Sequence, residues 1–105
     1  MMKERNDYGM MSGAFIFDRM DRAAVLYIRK KAHLPKNTVL VTENVSNLAF
    51  IRQLCGKRCT VVFSDYAKEY NGRYYVAVYL LNDENLLCAR GEFLFCEAHN
   101  YCEVR

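Results

Sequence analysis

Between Ser12 and His33 the chain runs without proline, and after Gly13 without glycine, through a dense succession of apolar residues. Ser12 is a candidate N-cap, Arg29, Lys30 and Lys31 load the last turns with positive charge, and Pro35 follows the end. Those signals bracket one helix of about five to six turns. On its wheel Asp18, Arg22 and Arg29 share a narrow polar stripe, with Asp18 and Arg22 spaced for an i,i+4 ion pair. Phe15, Ile16, Phe17, Met20, Ala23, Ala24, Leu26, Tyr27 and Ile28 cover most of the remaining girth, so the helix is expected to be wrapped rather than laid on a surface. Asp21 stands about 60° off the stripe, flanked by Phe17, Ala24 and Ile28, and is expected to point toward apolar surroundings. Asp18 is expected to be solvated.

Beyond Pro35 the period of the pattern falls to two. Thr38 to Val45 alternates, with Val39, Val41 and Val45 on one parity. Leu48 to Ile51 is a short apolar stretch, and Gly56 marks a turn before a strand from Cys59 to Tyr66. Asn71-Gly72 is a strong hairpin signal, because both central residues of a type I′ turn need positive φ. Arg73 to Leu81 reads as a half-buried strand, Asn82 to Asn85 as a second turn, and Leu86 to Cys96 as a strand interrupted by Gly91. Strands joined by turns this short are antiparallel. One apolar helix followed by an antiparallel meander predicts an α+β fold, the sheet curled around the helix.

Composition narrows the function. The 105 residues allow a single domain spanning 1–105, and at 52% hydrophobic the chain is too apolar for disorder. No apolar run reaches the roughly 18 residues of a membrane span, nor does a signal-peptide pattern open the chain, so no membrane insertion is expected. A formal net charge of +3 is too mild to argue for a nucleic-acid partner and suits an anionic small ligand. Cys55, Cys59, Cys88, Cys96 and Cys102 are odd in number, with no C-x-x-C pair, and the two histidines, His33 and His99, lie far apart. The cysteines are expected to be reduced and packed as small hydrophobes, with no metal bound and a cytoplasmic location.

The residues around the helix start carry a resemblance. Asn6 to Asp21 resembles the acyl-CoA thioesterase family of the hotdog fold, whose members read approximately D-x-N-x-x-G-x-x-F/H-G-G-x-x-x-x-x-M-D here. Asn6 and Gly9 match the Asn and the Gly that follows it, and Gly13 matches the first Gly of the pair. Met20-Asp21 matches the M-D, with Asp21 at the catalytic acid position. Val39 to Gly56 resembles the strand and loop before the family's G-D turn, and Ala89 to Phe95 its closing A-x-G-x-x-x-F strand. Ala14 replaces the second Gly, Glu4 stands in place of Asp, Lys57 in place of the Asp of the G-D turn, and Arg52 where a Pro occurs. Only Met1 to Arg5 precede the motif where the family carries a strand, so five strands instead of six are expected, or completion by a partner.

What the resemblance implies is a hotdog domain that hydrolyses an acyl-CoA to free acid and coenzyme A, without a cofactor. It implies a homodimer joined by a continuous sheet, or a tetramer or hexamer built on it, with substrate sites between subunits. Backbone N–H groups at Gly13 and Ala14 can hold a developing oxyanion, since a helix start offers unpaired donors and a favourable dipole. Asp21 can act as general base or nucleophile. Asn6 offers an amide that the resemblance places across the interface from Asp21. Arg52, Lys57, Arg58 and Arg90 are candidates for the phosphates of coenzyme A.

Plainer readings stand beside these. Gly13 also serves as a cap or close-packing residue, Asn6 as loop filler, and the four basic residues as solvated charge. Tyr66, Tyr70, Tyr74, Tyr75 and Tyr79 suggest either base stacking or, at less cost, cross-strand pairing. The alternative function is a non-catalytic hotdog module that binds acyl-CoA or an acyl-carrier protein. Asp21 favours the enzyme; Ala14 and Lys57 favour the module.

Overall fold

Helix α1 (Gly13–Lys31) runs close to its expected length and stops for a visible reason. His33 adopts a left-handed backbone (φ 55°), and the Leu34 amide turns back to the Arg29 carbonyl at 3.0 Å. That is a Schellman-type ending, after which Pro35 cannot continue the helix. The structure, a computed structural model, describes residues 13–54 and 58–98, so the Ser12 cap lies outside the described residues. Arg29 departs from the solvated stripe expected of it. Its guanidinium donates to the carbonyls of Thr38, Pro35 (2.9 Å) and Lys36 (3.1 Å), tying the loop after the helix to its last turns.

Four antiparallel strands follow: β1 (Leu40–Phe50), β2 (Cys59–Glu69), β3 (Arg73–Asn82) and β4 (Leu87–Glu97), in the order β1-β4-β3-β2. Among the described residues there are thus four strands rather than five. Leu48 to Ile51 forms no separate element, because two bulges carry β1 through to Phe50. The hairpin at Asn71-Gly72 takes φ of 66° and 68°, as its sequence predicts. The second turn is closed by Asn82, whose Oδ1 accepts from the amides of Glu84 (2.8 Å) and Leu86 (3.0 Å). Gly91 does not interrupt β4. It pairs with Val78, and a Cβ there would lie 3.1 Å from the Phe93 ring and 3.2 Å from Leu48 Cδ1, so the glycine makes room for both.

The helix buries one stripe, Ile16, Met20, Ala24 and Ile28, against Val76, Val78 and Leu80 of β3 and Ala89, Phe93 and Phe95 of β4. Each large side chain so buried contributes about 1.5–3 kcal/mol. Phe17 stacks on Phe93 at 5.6 Å and Tyr27 on Phe63 at 4.3 Å, closing the two flanks. The wrapping expected from the wheel is partial. Four strands cover one side, and Leu26 remains 68% exposed.

The parity of β1 also differs from the simple alternation. Thr42 lies opposite Phe95 and Asn44 opposite Leu94, so Glu43 is an extra residue. Leu40 and Val45 pack on the core, while Val39 is exposed. Bulges of this kind belong on edge strands, where they break the template for further pairing.

Candidate active site

Asp21 sits in the third turn of α1, one residue after the fully buried Met20. It is half-buried and has a partner that the wheel could not show. Thr42 Oγ1 donates to Asp21 Oδ1 at 2.6 Å, from the inward face of β1. A shallow cavity of about 320 Å³ opens beside the carboxylate, lined by Asp21, Arg22, Val25 and Leu26. Asp21 is therefore a carboxylate fixed on one side by a hydroxyl and open on the other to a space with apolar walls. Asp18 makes the expected i,i+4 pair with Arg22 at 2.8 Å, but is itself half-buried rather than fully solvated.

The other candidates collect at the far end of the domain. Gly13 and Ala14 are exposed at the helix start, where a Cβ on Gly13 would come 3.7 Å from the Phe50 ring. Arg52 follows the same end of β1, and donates through Nη1 to the Leu87 carbonyl at 2.9 Å. Arg58 precedes β2 at this end too, but on the opposite edge, about 14 Å away across four strands. Arg90 pairs with Ala49 and Tyr79, and its parity turns it to the face away from the helix. Asn6 and Lys57 lie outside the described residues. Eight residues of helix separate Gly13 from Asp21, about 12 Å along the axis. Within one chain the helix-start donors and the Asp21 carboxylate do not reach the same carbonyl group.

The tyrosines divide between the two faces. Tyr66 meets Tyr27 edge-on at 6.2 Å under the helix, while Tyr75 and Tyr79 belong to the outer face, beside Ala67 and Val62. Tyr74 is buried and donates to Glu97 Oε2 at 2.9 Å. Burial first, then that bond and the Glu97 charge, push the Tyr74 phenol up to about 12. Sequence reasoning missed both Thr42 and Glu97. The available signal was a polar residue at an inward position, and it was masked for Thr42 by the bulge. Cys88 and Cys96 are buried and Cys59 is half-buried. Cys55 and Cys102 fall outside the described residues. No described helix is long and apolar enough to cross a membrane. A wider cavity of about 780 Å³ lies at the β2–β3 hairpin, lined by Lys68, Glu69, Asn71, Gly72 and Arg73.

No protein-family model and no curated protein sequence matches the chain. Solved structures do. A Bacillus halodurans protein crystallised with CoA shares 20% identity at a TM-score of 0.75, over 89% of this chain and 59% of that one. The chain thus spans less than two thirds of that protein's length. A hexameric thioesterase from Yersinia pestis shares 14% at a TM-score of 0.73, over 89% of this chain and 76% of the other. A 1,4-dihydroxy-2-naphthoyl-CoA thioesterase from Synechocystis shares 18% at 0.67, over 89% and 72%. At such identities the likeness is one of architecture. One helix on a four-stranded antiparallel sheet, superposable on these proteins, gives this chain the hotdog fold.

Proposed function

We propose that this chain hydrolyses the thioester of an acyl-CoA, releasing a free acid and coenzyme A. The observation that carries the reading is Asp21: a half-buried carboxylate, anchored by Thr42, facing an apolar-walled cavity on the fold that the CoA-bound and thioesterase structures share. In this reading Asp21 removes a proton from a water as that water attacks the thioester carbonyl. The oxyanion of the tetrahedral intermediate rests on the N–H groups of Gly13 and Ala14. Collapse breaks the C–S bond, and the proton held by Asp21 passes to the departing sulfur. Asp21 acting instead as nucleophile would place an anhydride between the same two states.

Because about 12 Å of helix separates Asp21 from Gly13, the reading needs two copies, each bringing one part to a shared site. We therefore propose a homodimer, alone or within a tetramer or hexamer, with Asn6 reaching the site from the copy opposite Asp21. Arg52, Lys57, Arg58 and Arg90 are assigned to coenzyme A phosphates. An odd number of cysteines without a C-x-x-C pair suits a cytoplasmic location, and the activity a role in lipid metabolism.

Ala14 and Lys57, which depart from the thioesterase pattern, favour a second reading, a module that binds acyl-CoA or an acyl-carrier protein without turnover. A thiol-release assay across acyl-CoA chain lengths, run beside thermal shift with free coenzyme A, separates the two. Turnover supports the enzyme; stabilisation by coenzyme A without thiol release supports the module.

A further inference from the structure

We infer that Thr42 is the positioning residue of this site, holding the Asp21 carboxylate by one oxygen so that the other faces the reacting water. The inference rests on the thioesterase reading above and adds to it a residue outside the motif that carries Asp21. Three observations converge on it. The hydroxyl lies 2.6 Å from Asp21 Oδ1, joining residues 21 positions apart, and the Asp21 carboxylate has no other hydrogen bond among the described residues. Asp21 also lines the cavity with Arg22, Val25 and Leu26, so a carboxylate held at one oxygen keeps a second for a molecule bound there. The backbone, moreover, is shaped to bring Thr42 there.

Counting back from the inward Val45, an unbulged strand would place Glu43 inside and Thr42 outside. The extra residue at Glu43 reverses this. Glu43 is itself gripped from β3: Arg73 Nε donates to Oε1 at 2.9 Å and Nη2 to Oε2 at 3.2 Å, a two-point contact that spans β4 above the buried Cys96. The ion pair fixes the bulge, the bulge turns Thr42 inward, and Thr42 orients Asp21. Preorganising a base in this way affects the rate of the chemical step more than the binding of substrate.

The experiment is a double-mutant cycle on the full chain, with kcat and KM measured on an acyl-CoA that the wild-type chain hydrolyses. Thr42→Val keeps the shape and removes the hydroxyl; it should lower kcat about tenfold or more and leave KM within about twofold. Thr42→Ser restores the donor and should bring kcat back to within about threefold of wild type. In an Asp21→Asn background, Thr42→Val should change kcat by less than about twofold, since the base that the hydroxyl orients is gone. Denaturant midpoints for every variant report whether folding follows kcat. An unchanged kcat in Thr42→Val, equal losses in the Val and Ser variants, or an additive loss in the double variant would overturn the inference while leaving the thioesterase reading in place. A wild-type chain that releases no thiol would overturn both.

Discussion

Around Asp21 the helix meets β1 through a 2.6 Å hydrogen bond, with a buried methionine before it and a defined cavity beside it. The first turn of the same helix is different. Gly13 and Ala14 are exposed, the Arg52 guanidinium is engaged by the Leu87 carbonyl, and Arg58 stands on the other edge of the sheet. One region is finished by contacts within the chain; the other, among the described residues, leaves the helix start exposed. The contrast teaches that contacts among the described residues order the surroundings of Asp21 far more than those of the helix start.

The contrast can be broken first at its best-packed point. Met20 is fully buried, and Met20→Ala should cost about 2–5 kcal/mol of stability through the lost contacts and the cavity left behind. Chemical denaturation reads this directly. Its neighbour should behave in the opposite way. Asp21→Asn should lower thioester turnover about a hundredfold or more, because an amide cannot take up a proton. Its stability should stay near wild type, since the amide oxygen still accepts from Thr42. A large stability loss with normal turnover would make Asp21 part of the framework.

Alkaline titration probes the same buried layer further along. The folded Tyr74 holds its proton up to about 12, against 10.0 when unrestrained. The folded state thus binds that proton more tightly than the unfolded state, so its contribution is full below pH 10 and is lost as pH rises through about 12. Melting temperature should fall across that window, and Tyr74→Phe should make the fall shallower. Tyr66, raised by burial and by Tyr27, and Tyr75, raised by burial and by Glu92, act in the same sense and leave part of the slope. The smallest effect belongs to Asp18→Asn. It removes only an i,i+4 pair whose Arg22 end is exposed, so about 0.3–0.5 kcal/mol and less than about threefold in turnover are expected.

Much of this was legible in the residues because the signals were local. The helix is written in its long apolar run and in the proline beyond its end, and the Asn71-Gly72 turn in two residues that tolerate positive φ. Gly91 misled because a glycine in a strand reads as a break, whereas here Phe93 and Leu48 occupy the space its side chain would need. The contacts that were missed are all long-range. Thr42 reaches Asp21 only because of an extra residue at Glu43, and Glu43 is fixed by Arg73, thirty positions away. A bulge changes parity without leaving a mark on hydrophobicity, so alternation alone put Val39, now exposed, on the inward side. The wheel, for its part, counted apolar positions without counting strands available to cover them, and Leu26 is the result.

Whether the site is shared between two copies is tested most directly by mixing defects. Gly13→Pro removes one candidate oxyanion donor at a first helical position that tolerates proline. Asp21→Asn removes the base. Each chain alone should be inactive, but co-expressed in equal amounts they form mixed dimers carrying one intact site and one doubly defective site. Half the dimers are then mixed with half their sites intact, so turnover should recover to about a quarter of wild type. Turnover that stays at the sum of the two parents would contradict a site built across copies.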